Sequence, residues 1–214
     1  YSVTDENKNA TDRAEINSTT GELTAKKEGK IKVKARFAGA KWVYYYNATI
    51  SKSLNGTYFI QNKQHSKYLQ TSNNSEITEL WDFDGEDHQR WEITHVSGGY
   101  YKIRSESLDE YVSVASGSTN TDNCALVFED YKGYDRQLWK IEKSSRGNYV
   151  FYPKSTPSDK NFCMGAGNYL ILGNGLNVNQ RLYEDDDELR DEWRLSNTET
   201  PSFCQITLDY DKAN

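Results

Sequence analysis

Several residue types are scarce in this chain of 214 residues, and each scarcity excludes a class of protein. The three cysteines, Cys124, Cys163 and Cys204, are too few and too scattered for a metal cage or a disulfide framework, so we expect buried thiols and no metal. The three histidines lie in no nucleophile, zinc or phosphate-loop motif. The sequence therefore predicts a protein that is not an enzyme and has no cofactor. Paired carboxylates that cleave glycosidic bonds stay open as an alternative, because their separation cannot be read from sequence.

Long apolar runs and an excess of positive charge are missing as well. No stretch approaches the roughly 18 apolar residues of a transmembrane helix, which predicts no membrane insertion. The 26 Lys and Arg against 32 Asp and Glu give a net charge of -6, so no global field attracts a phosphate backbone, and we expect no nucleic-acid partner. The chain begins at Tyr1 without Met, signal peptide or lipidation motif, so we expect an excerpt of a longer protein.

Aromatic residues, by contrast, are abundant: 16 Tyr, 7 Phe and 5 Trp make up 13% of the chain. Apolar residues with helical spacing are nearly absent, whereas short alternating runs occur throughout. Residues 30–37 alternate charged and apolar side chains, which is typical of a strand with one wet and one buried face. The sequence therefore predicts an all-β fold.

Three internal repeats share an opening and an ending. Each opens with Gly-x-Tyr-x followed by an apolar residue, and each ends on a Trp that is followed two places later by an apolar residue. The openings begin at Gly56, Gly99 and Gly147, and the endings contain Trp91, Trp139 and Trp193. Repeats too short to bury their own apolar faces predict threefold closure around one core, with repeats at about 56–96, 98–143 and 146–196 and the three Trp side chains inside.

A third shared feature is an aromatic residue ten or eleven places before the closing Trp, namely Trp81, Phe128 and Tyr183. Acidic residues follow each of them, so the pattern predicts a solvent-exposed aromatic platform. The acidic run at 184–188 could be read as a calcium loop, but it lacks the alternating spacing and the glycine of an EF-hand, and a solvated charge run is favoured.

Gln-x-Trp at the end of such repeats is the signature of the ricin B-chain-like β-trefoil lectins, and residues 55–197 resemble that family. Gln89 and Gln137 keep the signature, while Asp191 stands in place of the third Gln. The resemblance implies a β-trefoil over 52–197 that binds carbohydrate without catalysis.

Residues 1–51 resemble something else, the C-terminal half of a group 2 bacterial immunoglobulin-like domain. The resemblance rests on Ala14-Glu15-Ile16-Asn17, on residues 20–29 and on the alternating strand. It implies a partial β-sandwich in which another segment must cover the apolar side chains of Ile31, Val33 and Phe37, because they would otherwise be exposed to solvent. Residues 198–214 repeat nothing, and we expect a linker to a following domain.

Together the two resemblances imply a secreted or cell-surface bacterial multidomain protein. Its partners would be a host or cell-wall glycan or polysaccharide and other domains of the same parent chain.

The lectin resemblance also implies where a sugar would bind. Each family repeat can build a pocket from an Asp on its second strand, the mid-repeat aromatic and a polar residue just before Gln-x-Trp. In the first repeat Gln70 replaces the Asp, beside Trp81, His88 and Gln89, and we expect this pocket to bind.

The other two repeats imply weaker pockets. The second has Ser113 at the Asp position and Phe128 as its platform. The third has Tyr183 but no polar group at the Asp position, so we expect it not to bind neutral sugars. Because no repeat keeps the Asp, the alternative is that these rings only pack and that the trefoil is a spacer or a protein-docking module.

Overall fold

The structure is a computed structural model that describes residues 1–36, 38–39, 41–72, 78–167, 173–184 and 189–197, with the backbone alone at Lys52 and 204–209. The chain divides into two units, an N-terminal unit of Tyr1–Ser53 with Pro201–Asn214, and a trefoil unit of Leu54–Thr200. Within the described ranges no helix has the length and apolar character needed to cross a membrane.

Strands dominate both units, and we number them in chain order. They are β1 Ser2–Asp5, β2 Ala14–Ile16, β3 Leu23–Ala25, β4 Gly29–Ala35, β5 Tyr44–Lys52, β6 Gly56–Asn62, β7 Tyr68–Thr71, β8 Thr78–Trp81, β9 Arg90–Ser97, β10 Tyr100–Ser105, β11 Tyr111–Val114, β12 Cys124–Glu129, β13 Trp139–Lys143, β14 Tyr149–Pro153, β15 Phe162–Ala166, β16 Leu176–Leu182, β17 Trp193–Asn197 and β18 Cys204–Asp209. Single-turn 3-10 helices at Asp87–Gln89 and Asp135–Gln137 precede β9 and β13.

The N-terminal unit builds a small core of its own. Its sheet has the order β1-β4-β5-β18, and β2 pairs with β3 in a separate hairpin. The predicted alternation on β4 is present only in part, because Ile31 and Ala35 are buried and Lys30 is exposed, but residues 32–34 are all half-buried. Ile31 packs in a cluster with Ala14 of the small hairpin, so its cover comes from this unit. Phe37 lies outside the described residues.

Strand β18 belongs to the same sheet. It pairs antiparallel with β5, from Cys204 opposite Lys52 to Asp209 opposite Asn47. The interpretation of 198–214 as a linker did not anticipate this pairing, because it joins segments that are far apart in the sequence and share no motif.

The trefoil unit consists of three repeats of four strands: repeat 1 is β6–β9, repeat 2 is β10–β13 and repeat 3 is β14–β17. The first and last strands of the repeats close into a ring, in the order β6-β9-β10-β13-β14-β17 and back to β6. The middle strands of each repeat form a hairpin, β7–β8, β11–β12 and β15–β16. A closed ring of six strands with three hairpins is a β-trefoil, which confirms the predicted all-β class.

The closing Trp of each repeat lies in the core, as predicted. Trp91, Trp139 and Trp193 are each 0% exposed. Their indole N–H groups donate to carbonyls on the second strand of their own repeat, at 2.9 Å to Leu69, 3.1 Å to Val112 and 3.0 Å to Met164. Burial of each large ring with its polar atom satisfied stabilises the fold by about 3 kcal/mol.

The described cysteines of the trefoil unit are core residues. Cys124 and Cys163 are buried free thiols, and burial raises the pKa of the Cys163 thiol well above its ordinary value. The Cys163 thiol therefore stays protonated at neutral pH, and both cysteines pack as small apolar side chains.

Candidate functional site

The three indole hydrogen bonds define which positions correspond between the repeats. The residue after each acceptor carbonyl is Gln70 in repeat 1, Ser113 in repeat 2 and Gly165 in repeat 3. The position where the family carries its Asp is therefore occupied in repeat 3 by Gly165, which has no side chain.

The hairpin register defines the platform position in the same way. Trp81 lies opposite Tyr68 on β7–β8, and the corresponding partner is Glu129 opposite Tyr111 in repeat 2 and Arg181 opposite Cys163 in repeat 3. Among the repeats, only the first places an aromatic ring at this position.

Phe128 faces the core and not the solvent. It is 6% exposed and stacks on Trp91 with 6.0 Å between ring centroids. The cause is an offset of one residue, since Phe128 lies eleven places before its Trp whereas Trp81 lies ten before, and one step along a strand turns a side chain to the other face. The structure therefore reassigns Phe128 from ligand platform to core.

Tyr183 lies just after β16, two residues beyond the platform position. It is half-buried and packs edge-on against Tyr152 at 5.7 Å. The acidic run lengthens this loop in repeat 3, which is why counting back from Trp193 misses Arg181. Residues 185–188 of that run, and with them the question of a calcium loop, lie outside the described residues.

Gln89 has a structural role. It is 0% exposed, and its side-chain amide donates to the Asp82 carbonyl at 2.7 Å and to Gln70 Oε1 at 3.3 Å while accepting from the Asp84 N–H at 3.1 Å. Gln137 ties the matching loop of repeat 2, donating to the Asp130 carbonyl at 2.7 Å. The glutamine of Gln-x-Trp therefore fastens the loop that follows the platform strand, and contact with a ligand is excluded by burial.

Ser113 is also removed from the predicted set of ligand contacts. It is 0% exposed, and its hydroxyl has two backbone carbonyl acceptors within reach, that of Val114 at 3.2 Å and that of Arg136 at 3.4 Å. The short side chain at this position uses its hydroxyl proton in a hydrogen bond to the backbone, so repeat 2 has no family-type pocket.

Repeat 1 keeps an aromatic and polar face on its hairpin. Because alternate residues of paired strands face the same side, Gln70, Glu79 and Trp81 share the outer face of β7–β8. The Trp81 ring is 38% exposed, whereas Gln70 is 5% exposed and donates to Glu79 Oε1 at 3.0 Å.

Glu79 is the residue that sequence reasoning missed. It supplies, from the opposite strand, the carboxylate that Gln70 lacks. The signal was present in the spacing, because Glu79 lies two residues before Trp81 on the same strand. A Cβ at Gly175 would lie 3.7 Å from both Glu79 Oε2 and the Trp81 ring, so a glycine backbone closely borders both groups.

A polar network holds the chain next to Trp81. Lys67 Nζ lies 2.7 Å from Asp82 Oδ1 and 2.7 Å from Asn174 Oδ1, and Asn174 Nδ2 donates to Asp82 Oδ2 at 3.0 Å. The hydrogen bond from Lys67 lowers the pKa of the Asp82 carboxyl. The network joins the loop after β8 to the turn before β16, so repeats 1 and 3 both position the ring.

His88 belongs to a neighbouring groove. This half-buried histidine has its Nε2 2.9 Å from Asp84 Oδ2. It lines a groove of about 370 Å³ with Thr71, Ser72, Glu86, Asp87, Ser107 and Leu108. Gln70 and Trp81 do not line this groove, so the predicted pocket divides into an aromatic-carboxylate face and a separate polar groove. No group of three His, Cys, Asp or Glu side chains among the described residues could hold a metal ion.

Comparison with known proteins identifies the sequence pattern and the fold. The family model of the ricin-type beta-trefoil lectin domain-like proteins matches residues 38–127 and 87–180, which together span more than half of the chain. No curated protein matches the chain.

Solved structures share the trefoil at low identity. A designed threefold symmetric protein, ThreeFoil, is 22% identical with a TM-score of 0.59, over 67% of this chain and 99% of that one. The Polyporus squamosus lectin bound to a human-type influenza-binding epitope is 19% identical with a TM-score of 0.57, over 69% of this chain and 50% of that one. The Macrolepiota procera ricin B-like lectin in complex with lactose is 17% identical with a TM-score of 0.57, over 68% of this chain and 97% of that one. At these identities the likeness shows the fold alone.

Proposed function

The chain belongs to the ricin-type β-trefoil lectin domain-like family, and from that premise we propose that it is a non-catalytic carbohydrate-binding module of a secreted or cell-surface bacterial multidomain protein. The observation that carries the proposal is the exposed Trp81 indole beside the Glu79 carboxylate on the outer face of repeat 1.

The two side chains supply the two interactions that a sugar requires. An indole offers a flat surface on which the C–H face of a pyranose stacks, and a carboxylate accepts hydrogen bonds from neighbouring hydroxyls. Glu79 Oε1 is held by the Gln70 amide, and no described residue donates a hydrogen bond to Oε2, so this oxygen is the one offered to the ligand. Because charge-assisted hydrogen bonds are about twice as strong as neutral ones, Glu79 offsets the loss of the family's Asp.

A glycan of a host or a cell wall is the proposed partner. Two similar solved structures, from Polyporus squamosus and Macrolepiota procera, are lectins in complex with glycans, which supports this class of ligand. The bacterial, modular context rests on the resemblance of residues 1–51 to a group 2 bacterial immunoglobulin-like domain. Other domains of the parent chain are then its covalent neighbours.

A glycan array tests the proposal. We expect binding of the wild-type protein to at least one neutral glycan, and a loss of about tenfold or more with Trp81→Ala, in line with the roughly 1–2 kcal/mol of a stacked ring. Trp42→Ala is the matched control, because it removes an indole that is 74% exposed in the N-terminal unit. Glu79→Gln keeps the shape of the side chain and should weaken binding as well.

The outcomes separate the two candidate functions. An empty array across plant, mucin and bacterial glycans, or equal losses from Trp81→Ala and Trp42→Ala, would refute sugar binding at this face. The protein would then be a spacer or docking module, a role consistent with the burial of Gln70 at 5% exposure. Release of reducing sugar from a bound glycan would refute the non-catalytic role.

A further inference from the structure

Repeats 1 and 2 carry chemically different side chains at the position that follows the Tyr of Gly-x-Tyr. Phe59 in repeat 1 corresponds to Lys102 in repeat 2, since both follow the Tyr of Gly-x-Tyr. In repeat 1 the rings of Phe59, Tyr68 and Phe83 contact each other, with centroids 5.0 Å apart for Phe59 and Phe83 and 4.7 Å for Tyr68 and Phe83. Mutual packing of three apolar rings accounts for this cluster.

In repeat 2 an ammonium group replaces the first ring. Lys102 Nζ lies 4.9 Å from the centroid of Tyr111 and 4.8 Å from that of Tyr131, whose rings are 5.2 Å apart. Tyr111 and Tyr131 occupy the positions of Tyr68 and Phe83. The cation therefore lies against two tyrosine rings, each at a centroid distance typical of a cation–π contact.

The cation has no acidic partner. Among the described residues no carboxylate oxygen lies within 4.0 Å of Lys102, whereas two nearby cations each have an acidic partner. Arg136 is 2.6 Å from Glu129, and Lys154 is 2.8 Å from Asp135. Lys102 therefore carries a positive charge that no carboxylate of the described residues pairs with.

A hydroxyl group lies beside this charge. Lys102 Nζ donates to the Tyr111 hydroxyl at 3.3 Å. Because the hydroxyl oxygen accepts that bond, its own proton is left to donate to another acceptor. The ammonium and the hydroxyl are thus two donors, side by side, on two residues that are both partly exposed.

We propose that repeat 2 binds an anionic sugar, whose carboxylate or sulfate oxygens accept hydrogen bonds from Lys102 Nζ and the Tyr111 hydroxyl. This second site does not depend on the Trp81 face of repeat 1. A negatively charged chain repels anions at long range, so a local cation held in place by two rings is what makes an acidic sugar a ligand here.

Calorimetry on the full chain tests this site with three probes: an oligogalacturonate, its methyl ester and a galactose oligomer that carries sulfate esters. The ester keeps the shape of the uronate and removes its charge. We expect the wild-type protein to bind the uronate or the sulfated oligomer at least about tenfold more tightly than the ester, the value of one charge-assisted hydrogen bond, with a preference that weakens at high salt.

Two variants of Lys102 make the test specific. Lys102→Phe copies the all-aromatic cluster of repeat 1, so it should fold and lose the preference for the anion, whereas Lys102→Arg should retain it. Trp81→Ala should leave the preference unchanged even where it abolishes neutral sugar binding. An equal affinity for uronate, sulfated oligomer and ester, or a preference that survives Lys102→Phe, would overturn the assignment. Loss of both ligands in Trp81→Ala would overturn the independence of the two sites.

Discussion

Gly165 offers the sharpest quantitative test of the register between repeats. A Cβ at this position would overlap Asp191 Oδ1 and lie 3.0 Å from Arg181 Cδ. Asp191 has little room to yield, because it is 1% exposed and its Oδ2 accepts from the Glu184 N–H at 3.3 Å. Asp191 has therefore taken the space that side chains at this position occupy in the other two repeats.

Gly165→Ala should destabilise the protein by overpacking this site. Overpacking a filled core costs about 1–3 kcal/mol, and each kcal/mol lowers the Tm of a domain of about 150–250 residues by roughly 2–4 °C. Asp191→Ala removes the obstructing carboxylate, so the double variant should be more stable than the sum of the single effects predicts, by about 1 kcal/mol.

Urea denaturation followed by tryptophan fluorescence measures these differences. Gly173→Ala is the matched control, because no heavy atom lies within 4 Å of the Cβ it adds, and its effect should stay within about 0.5 kcal/mol. A Gly165→Ala variant as stable as Gly173→Ala, or effects of Gly165→Ala and Asp191→Ala that add without coupling, would refute the overlap between position 165 and Asp191.

Three further predictions concern the core and the response to pH. Trp139→Ala should cost about 3–5 kcal/mol in the free energy of unfolding, and a cost below about 1 kcal/mol would contradict its role as a core wedge. Burial lowers the pKa of His65 and His95 below 6.5, so the unfolded chain binds more protons below that pH and stability should fall between pH 7 and pH 5. Denaturation curves should show this slope flattened when both are replaced by Gln, and an unchanged slope would contradict the assignment. The hydrogen bond from Lys67 lowers the pKa of Asp82 below 3.8, so this bond stabilises the fold above that pH and is lost as the pH falls through the folded-state pKa. At pH 7 the bond is present, and Lys67→Met should therefore weaken glycan binding at that pH, as measured by calorimetry.

The repeat pattern predicted the fold because the repeated residues are those that pack in the core. A Gly-x-Tyr opening and a closing Trp recur only where each repeat contributes the same wedge to a shared interior, and Trp91, Trp139 and Trp193 occupy that interior. The candidate site was less predictable. Trp81 was identified from its spacing and is exposed, but Gln89 shares its motif with the core Trp and serves the fold.

Sequence alone established the all-β class, the three repeats and the aromatic residue at the head of the first acidic loop, because periodicity and repetition are local properties of a chain. Tertiary structure decided which side chains share a face. A strand changes face with every residue, so an offset of one place sends Phe128 inward, and a longer loop displaces Tyr183 from the platform position. The pairing of Glu79 with Gln70, the enclosure of Lys102 by two tyrosines and the return of β18 to the N-terminal sheet each depend on strand register, which is established when the chain closes on itself.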